Sequence, residues 1–365
     1  MHRSWVEISR GRIARNYRSV RAAVGPGVEV AGVVKADAYG HGAVEVARVL
    51  EAEGAQWLAV SSVEEGIGLR RSGVAARILV MAGFLRDEGE ALVDARLTPV
   101  VHSVEEIAGL ERIGRPIAFH LKIDSGMARL GTRARAKWIA SAVAVCRRAR
   151  LEGLMTHFAS AADFSSPQTE EQEARFDEVR ARLAEAGVRP EWVHMASTNA
   201  VAWDRRSTWR NMVRVGHALY GYVSPARGAA PARVLDVQPA LAWKARILAV
   251  KDLPEGAPVG YGGSFRAPRP LRAGVLALGY ADGLPHRLSG KGKVLAAGKP
   301  AAILGPVSMD LTTVDLSLAP ELGPGDEVTI LGEGLDAQQI ARAAGTISYA
   351  VLCGISPRVH RVYVE

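Results

Sequence analysis

Strand-like and helical segments alternate regularly from residue 12 to about residue 225, which limits the choice of fold to two. Eight runs rich in β-branched residues are candidate strands, and helical patterns lie between them. Parallel strands joined by helices form either an open, doubly wound sheet or a closed (β/α)8 barrel. Eight units favour the barrel, and no GxGxxG motif follows the first run. The runs are VEVAGVV, WLAV, ARILVM, TPVV, IAFHLKI, LEGLMTHF, EWVHM and MVRV.

Two of the helical patterns are well defined. The first places apolar residues at i, i+4, i+7 and i+11, and a later one follows Pro167 and Thr169, which are typical helix-start residues. We expect the apolar stripes of both helices to face the core. The stripes are Ile13, Tyr17, Val20 and Val24 in the first helix, and Phe176, Val179 and Leu183 in the later one.

The pattern changes after residue 235, where strand-like runs are short and are interrupted by Gly and Pro. Such runs are typical of a mostly β domain. One helical segment, LDAQQIARAAG, comes before a last strand near RVHRVYVE. For a chain of 365 residues we therefore predict two domains, a barrel over residues 1–235 and a mostly β domain over residues 236–365. The runs are LAWKARILAVKDL, GVLALGYADGL, GKVLAAGKPAAIL, DLTTVDLSL and DEVTILGEG.

Charge and cysteines narrow the class of protein. The net charge of +8 would suit nucleic acid, but the arginines are scattered along helical segments rather than massed in a tail. We therefore expect a solvated basic surface and no nucleic-acid partner. We also expect no membrane association, because no apolar run has the length of a membrane span. Two widely separated cysteines, Cys146 and Cys353, are typical of the reducing cytoplasm.

A lysine stands at the carboxyl end of the first predicted strand. The chain has eight lysines and thirty-eight arginines, and residues 1–235 contain only Lys35, Lys122 and Lys137. Burial would lower the pKa of Lys35 and make its amine a nucleophile near neutral pH, as a Schiff-base lysine requires. Alternatively, Lys35 is one of the few lysines that an arginine-rich chain has kept, and its ammonium simply reaches water.

Other polar residues stand at the ends of the predicted strands. In a (β/α)8 barrel the carboxyl ends of all strands meet at one face, where the catalytic residues of such enzymes lie. Any one of these residues would be unremarkable as a core polar group with satisfied hydrogen bonds, but several on one face indicate a site. The residues are Lys35, His102, Lys122, His157, His194 and Arg214.

Five motifs in the same order make the chain similar to the alanine racemases, which are pyridoxal-phosphate (PLP) enzymes with a barrel and a β domain. The resemblance spans nearly the whole chain and implies interconversion of L- and D-alanine, which supplies D-alanine for peptidoglycan. It also implies a head-to-tail homodimer in which Lys35 of one chain and Tyr261 of the other share each active site. The motifs are VVKADAYGHG, LKIDSGMARLG, MTHFASAAD, MVRVGHALYG and the C-terminal set VGYGGSF, LGYADGL and VSMD.

The resemblance assigns two bases on opposite faces of the substrate Cα, as racemisation requires. Lys35 holds PLP as a Schiff base and is one base, and Tyr261 is the other. A free tyrosine titrates near pH 10, so holding a phenolate at neutral pH costs roughly 4 kcal/mol and calls for cationic neighbours. His157 and Arg214 have that position in the family. Without the resemblance, Tyr261 would be a turn residue among glycines.

Arg214 has a further role by the same resemblance. The family places it against the pyridine nitrogen of PLP, and an arginine can only donate there. The nitrogen then stays unprotonated, and PLP is a weak electron sink, which suppresses transamination. His194 is similar to the family residue that supports this arginine.

The phosphate of PLP is held in the family by residues that match Tyr39, Thr198, Gly216 and His217. Thr198 stands where many relatives have serine, and it keeps the hydroxyl. Pro357 stands where many relatives have tyrosine. Proline has no donor, so a phosphate contact or pocket-wall group of those relatives has no counterpart in this chain.

The resemblance places Arg129 and the backbone N–H of Met309 at the substrate carboxylate, and Tyr280 along the approach. Lys122 stands seven residues before Arg129, where some relatives carry a carbamylated lysine that positions the arginine. A carbamate would replace an ammonium beside a guanidinium with an anion. Alternatively, Lys122 forms an ordinary ion pair with Asp124.

Three alternative functions come from related proteins. The same chemistry on serine, or on a broader set of amino acids, would need only a different pocket width. Barrel-fold PLP decarboxylases share the barrel lysine but usually place a carboxylate at the pyridine nitrogen, where this chain has Arg214. Single-barrel PLP-binding proteins lack a second domain, so residues 236–365 argue against them.

Overall fold

The structure, a computed structural model, describes residues 2–365. None of the helices in these residues is long and apolar enough to cross a membrane. The strands of this part of the chain are β1 (Ser4–Ser9), β2 (Glu29–Val33), β3 (Trp57–Val60), β4 (Arg77–Val80), β5 (Leu97–Val101), β6 (Ile117–Lys122), β7 (Ala149–Met155), β8 (Trp192–His194), β9 (Met212–Val215), β10 (Leu241–Leu253), β11 (Pro258–Val259), β12 (Phe265–Arg266), β13 (Leu271–Leu276), β14 (Lys293–Ala296), β15 (Lys299–Ala302), β16 (Thr312–Asp315), β17 (Glu327–Leu331) and β18 (His360–Val364). The helical segments are α1 (Arg10–Val24), α2 (Lys35–Tyr39), α3 (Ala43–Ala52), α4 (Val63–Arg71), α5 (Gly89–Asp94), α6 (Val104–Arg112), α7 (Ala136–Ala144), α8 (Gln168–Glu185), α9 (Thr198–Ala202), α10 (Ala337–Ala344) and α11 (Ser348–Cys353).

The chain folds into two compact units, named here the barrel unit and the β unit. Residues 13–38 and 43–238 form the barrel unit, whereas residues 2–12, 39–42 and 239–365 form the β unit. The N-terminal residues therefore belong to the β unit, whereas the sequence analysis assigned them to the barrel. They lie in the β unit because β1 pairs antiparallel with β10 and parallel with β18.

The barrel unit is a nearly closed ring of eight parallel strands in the order β8-β7-β6-β5-β4-β3-β2-β9. Between β8 and β9 the ring is joined by isolated contacts, such as the hydrogen bond from the Arg214 N–H to the Ala196 carbonyl oxygen (3.0 Å). Each of the eight predicted runs overlaps one of these strands, so the predicted (β/α)8 barrel is confirmed. The strands are covered on both faces, which explains their nearly continuous apolar sequences. As predicted, α1 buries its apolar stripe, and α8 buries Phe176 and Leu183.

The β unit is built on the long strand β10, which matches LAWKARILAVKDL residue for residue. Its main sheet has the order β15-β14-β17-β10-β1-β18, and β13 and β16 continue from β10. The segment LDAQQIARAAG contains α10, which Asp336 caps at its start and Gly345, with a φ of 65°, ends. Each predicted C-terminal run overlaps a strand, so the mostly β second domain is confirmed. The short helix α11 was not predicted.

Candidate active site

Lys35 opens a left-handed turn, the segment α2, directly after β2. Ala36, Asp37 and Ala38 have φ angles of 52°, 51° and 53°. Tyr39 continues the turn with a φ of 55°. Residues other than glycine cost roughly 1–2 kcal/mol each in this conformation, and strain of this kind is typical of functional sites. The turn leaves Lys35 half-buried at the end of a buried strand.

Glu65 fixes the start of this turn. One of its carboxylate oxygens accepts a hydrogen bond from the Ala36 N–H (2.7 Å), and the other accepts from the Ser61 N–H (2.6 Å). Glu65 is the third residue of α4, which Ser62 caps. The side chain of a glutamate at this position usually accepts a hydrogen bond from the N–H of the capping residue. In this chain it ties the end of β3 to the turn that carries Lys35.

Arg214, on β9, donates hydrogen bonds to two histidines and three carbonyl groups. Its Nη1 lies 2.8 Å from Nδ1 and 3.0 Å from the carbonyl oxygen of His194. Its Nη2 lies 3.3 Å from Nδ1 of His157, and also donates to the carbonyl oxygens of Thr156 (2.7 Å) and Met195 (3.1 Å). Burial lowers the pKa of Arg214 to about 9, so the guanidinium stays protonated at pH 7.

The two histidine rings beside Arg214 have a defined protonation state. Burial and the charge of Arg214 hold the pKa values of His157 and His194 well below the usual range, so both rings are neutral at pH 7. Because arginine cannot accept a hydrogen bond, both Nδ1 atoms must be unprotonated acceptors. Each ring therefore carries its proton on Nε2.

Three other basic residues act on Lys122 at the rim of the barrel unit. Burial, followed by the charges of Arg214 and Arg129, lowers the pKa of Lys122 to about 8, and Lys35 acts in the same direction. Apart from burial, the same four cations hold down the pKa of His157. Concentrated positive charge fits a ligand with several negative charges. The rim therefore fits an anionic ligand.

Asp124 does not form the ion pair with Lys122 that the sequence allowed. Its carboxylate accepts hydrogen bonds from the Arg133 side chain (2.7 Å) and from the backbone N–H groups of residues 126–128.

Burial and the charge of Lys122 lower the pKa of His102 to about 4, so this ring is neutral. Within residues 2–365, neither ring nitrogen of His102 has a hydrogen-bond partner.

Two loops of the barrel unit bring together residues predicted at the phosphate. Thr198 begins α9, and its Oγ1 accepts hydrogen bonds from the N–H groups of Gly216 and Ala218, both at 3.3 Å. Gly216 directly follows β9, and His217 is buried beside it. Because the Thr198 oxygen is the acceptor in both bonds, its O–H can donate to a ligand. Hydroxyl and backbone N–H donors in close proximity fit a phosphate.

Three loops of the β unit carry Tyr261, Tyr280 and Met309. The Tyr280 N–H donates to the Ser308 carbonyl oxygen (3.0 Å), so the loops of Tyr280 and Met309 adjoin. A Cβ at Gly279 would lie 2.2 Å from that oxygen, which requires glycine in this place. Tyr261 is 78 % exposed, and Met309 is 53 % exposed. The β unit therefore presents these side chains at its surface.

Tyr39 belongs to the β unit, where two glycines of its motif allow close packing. A Cβ at Gly40 would lie 2.6 Å from the Leu352 carbonyl oxygen, and one at Gly42 would lie 1.8 Å from the Tyr363 hydroxyl. Both glycines also have positive φ angles. Burial raises the pKa of Tyr39, so its hydroxyl keeps the proton and is a hydrogen-bond donor.

The loop at Pro357 is fixed by the arginine that follows it. Arg358 pairs with Asp310 (2.8 Å) and lies 3.4 Å from Asp282. Asp310 is the neighbour of Met309, so this arginine ties the end of the chain to the VSMD loop. The sequence analysis did not find Arg358, although its two carboxylate partners stand inside the recognised motifs.

Comparison with known proteins agrees with this geometry. The family model of the alanine racemase N-terminal domain matches residues 8–225, and that of the C-terminal domain matches residues 240–363. The chain belongs to the alanine racemase family. A curated alanine racemase from Halothermothrix orenii is 37% identical over 369 residues, which cover 99% of this chain and 96% of that protein.

Solved alanine racemase structures are similar over the whole chain. The alanine racemase of Clostridium difficile 630 has a TM-score of 0.95 at 33% identity, with 100% of this chain and 96% of that chain covered. The alanine racemase of Bartonella henselae, solved with covalently bound pyridoxal phosphate, has a TM-score of 0.89 at 27% identity, with 100% of both chains covered. The likeness to the alanine racemase family therefore extends to both units.

Proposed function

We propose that the protein is a PLP-dependent enzyme that interconverts L- and D-alanine and supplies D-alanine for peptidoglycan. The observation that carries the proposal is the buried guanidinium of Arg214, which can only donate, together with three further basic residues at the rim, Lys35, Lys122 and Arg129. Family membership supports the substrate, and the PLP bound in the Bartonella henselae relative supports the cofactor. We place the enzyme in the cytoplasm, where Cys146 and Cys353, which form no disulfide, stay reduced.

The residues of the barrel unit suit the parts of PLP. Lys35 would hold the cofactor covalently, the Thr198 hydroxyl with Gly216 and His217 would hold the phosphate together with Tyr39, and Arg214 would donate to the pyridine nitrogen. Bound PLP withdraws electrons from the Cα of an attached amino acid and so acidifies its Cα–H bond. His194 supports this arrangement because its Nδ1 and carbonyl oxygen both accept from the guanidinium.

Two bases exchange the proton at the substrate Cα, Lys35 on one face and Tyr261 on the other. The His157 ring accepts from Arg214 at Nδ1 and carries its proton on Nε2, so it can donate a hydrogen bond to a tyrosine oxygen. Such a bond favours the phenolate form that a base requires. The arginine thereby supports the second base through a neutral histidine.

Arg129 and the backbone N–H of Met309 are suited to the substrate carboxylate, and Tyr280 to the approach. Arg129 is exposed and forms no hydrogen bond or ion pair with any residue from 2 to 365. The Met309 N–H likewise has no partner in the described part of the chain. An open guanidinium and an open N–H are the donors that a carboxylate needs.

We further propose that Lys122 is carbamylated. At a pKa of about 8, about a tenth of its amines are neutral at pH 7 and can attack the carbon of CO2. The N–C bond forms, the nitrogen releases a proton to water, and the resulting anion accepts from Arg129. A carbamate signal in 13C NMR after exposure to 13CO2, absent from a Lys122→Met variant, is expected. No difference between the two proteins would exclude the carbamate.

Each active site is proposed to combine two chains of a homodimer, with Lys35 from one and Tyr261 from the other. The exposure of Tyr261, Tyr280 and Met309 in a single chain supports this arrangement. Refolding a mixture of the inactive variants Lys35→Ala and Tyr261→Ala tests it. Random mixing makes about half of the dimers mixed, each with one intact site of two, so activity should recover to roughly a quarter of wild type. Activity that stays at the background of the variants would show that each site lies within one chain.

The central experiment is a racemisation assay on the purified protein with L-alanine, with and without added PLP. We expect D-alanine to appear only when PLP is present, and serine and lysine to react more slowly. Faster turnover of serine would show that the enzyme has a different or broader specificity. Release of carbon dioxide in place of D-alanine would show a decarboxylase.

A further inference from the structure

A chain of buried polar side chains runs from Arg214 into the interior of the barrel. His194 accepts from Arg214 at Nδ1 (2.8 Å), and its Nε2 lies 2.8 Å from Nδ1 of His120. On the other side of the second ring, Nε2 of His120 faces the Glu152 carboxylate at 3.7 Å. Glu152 ends the chain in ion pairs with two arginines. The chain thus connects β9, β8, β6 and β7.

The barrel makes room for this chain. His194 and His120 are fully buried, and Glu152 is 2 % exposed. A Cβ at Gly153 would lie 2.5 Å from the His120 ring, so β7 carries glycine where the ring needs the space. Buried polar groups cost about 1–3 kcal/mol each when a partner is missing. Apolar side chains at these positions would avoid this cost. The buried polar side chains therefore have a function other than stability.

The outer end of the chain is held as a carboxylate. Arg77 pairs with one oxygen of Glu152 and lies over the Trp57 ring at 3.9 Å. Arg150 donates to the other oxygen (2.7 Å). Burial raises the pKa of Glu152, but the nearby Nε2 of His120 and the hydrogen bond and charge of Arg77 outweigh it and lower the pKa to about 2. The carboxylate is therefore ionised at neutral pH.

The protons of the chain have one consistent order. Arg214 cannot accept, so Nδ1 of His194 is unprotonated and its neutral ring carries the proton on Nε2. This Nε2–H donates to Nδ1 of His120, whose ring burial also keeps neutral. His120 then carries its proton on Nε2 and directs it at Glu152. The other tautomer of His120 would set two N–H groups against each other at 2.8 Å and a lone pair against the carboxylate.

We propose that His120 and Glu152 are positioning residues, which fix His194 as the Nε2–H tautomer and so hold its Nδ1 as the acceptor that orients Arg214. The carboxylate at one end and the guanidinium at the other align the dipoles of both rings. The role in catalysis rests on the proposed function, since it requires that Arg214 faces PLP. The order of the protons does not depend on the reaction.

Nitrogen NMR of the holoenzyme labelled with 15N-histidine measures the proton order directly. The signals of His120 and His194 are assigned by their loss from variants in which each is replaced. We expect both rings to have an unprotonated Nδ1 and a protonated Nε2. A proton on Nδ1 of His194 overturns the proposal, whatever the activity of the enzyme.

A pair of variants at His120 separates positioning from packing. In His120→Asn the side-chain oxygen takes the place of Nδ1 and can accept from His194, whereas His120→Leu has no acceptor. We expect His120→Asn to keep the His194 tautomer and most of the kcat. His120→Leu should lose the single tautomer and lower kcat by roughly 10-fold or more, the effect known for groups that orient ligand histidines. The KM for alanine should change much less, because the chain does not reach the substrate carboxylate.

Glu152→Gln is the second test if His120→Leu does not fold, since it removes only the charge. It should weaken the single tautomer of both rings and lower kcat in the same direction. Glu111→Gln is the matched control, because Glu111 accepts from the backbone N–H groups of residues 147–149 at the start of β7 and lies outside the chain. It should lower stability without changing the His194 tautomer.

Equal effects of the Asn and Leu variants, or a fall in kcat with an unchanged His194 tautomer, would overturn the positioning role. If the wild type does not racemise alanine but shows the derived proton order, the proposed function fails and the order of the chain stands. If the wild type racemises alanine but shows another proton order, the proposed function stands and the positioning role fails.

Discussion

Replacing Glu65 by glutamine tests whether its carboxylate holds the left-handed turn that carries Lys35. The two oxygens of Glu65 accept from the N–H groups of Ala36 (2.7 Å) and Ser61 (2.6 Å). Glutamine has one oxygen, and its NH2 group would face whichever N–H that oxygen does not bind. One hydrogen bond is therefore lost, and the other no longer has a charged acceptor.

The size of the effect follows from these two bonds. A hydrogen bond to a charged group contributes about 1.5–3 kcal/mol, and water replaces part of it at the exposed Ala36, so we expect a loss of about 1–2 kcal/mol. The turn itself stores roughly 1–2 kcal/mol for each left-handed residue. The loss is thus comparable to what holds one residue in the turn. If the open turn does not bind PLP, the affinity should fall by about 5–30-fold, since 1.4 kcal/mol is a factor of ten.

The assay compares Glu65→Gln with Glu64→Gln. Both glutamates stand in the first turn of α4, but Glu64 is exposed and has no hydrogen-bond partner in the described part of the chain. Urea unfolding gives the free energy of unfolding, and titration of the apoenzyme with PLP gives the affinity. Equal losses in the two variants would refute the reasoning, because the charge near the helix start, and not the turn, would then explain the effect.

Three further outcomes are expected. Lys35→Ala should fold and lose both racemisation and the PLP that borohydride fixes to the protein; retention of borohydride-fixed PLP would show that another lysine carries it. Tyr261→Phe should slow the exchange of the Cα proton of L-alanine far more than that of D-alanine, and deuterium loss from labelled L-alanine at the wild-type rate would exclude Tyr261 as that base. In CO2-free buffer the wild type should gain stability over Lys122→Met, by up to about 3 kcal/mol, as the pH rises from about 8 to 10.5, because the folded chain binds fewer protons there than the unfolded chain. A pH-independent difference in the free energy of unfolding would contradict the lowered pKa.

The barrel was predictable because its strands are local patterns. WLAV and MVRV coincide with β3 and β9 residue for residue, since a strand buried on both faces needs a continuous apolar run. The strand β1 was missed because SWVEIS is a strand through its pairing with β10 and β18, which lie far along the chain. Pairing over such a distance leaves no trace in a local pattern.

Without the family resemblance, the candidate site was predictable only where a residue stands at the end of a strand. Lys122 and Arg214 were found by that rule. The left-handed turn after Lys35 was not, because alanine and tyrosine have no preference for positive φ and tertiary contacts impose it. His120 and Glu152 were missed because each gains its role from a partner on another strand, although a charged or polar residue inside an apolar run is a visible signal.

Lys122 and Arg214 show why one rim uses two kinds of cation. Both side chains are nearly enclosed, and burial lowers the pKa of Lys122 from 10.5 to about 8 and that of Arg214 from 12.5 to about 9. At pH 7 about a tenth of the Lys122 amines are therefore neutral, whereas the Arg214 guanidinium keeps its proton. A lysine at position 214 would start from a lower pKa and lose its proton more readily on burial, and a neutral amine accepts as well as donates. The Nδ1 atoms of His157 and His194 would lose their fixed donor. The proton order around the site therefore requires arginine at position 214, whereas the neutral amine needed to capture CO2 requires lysine at position 122.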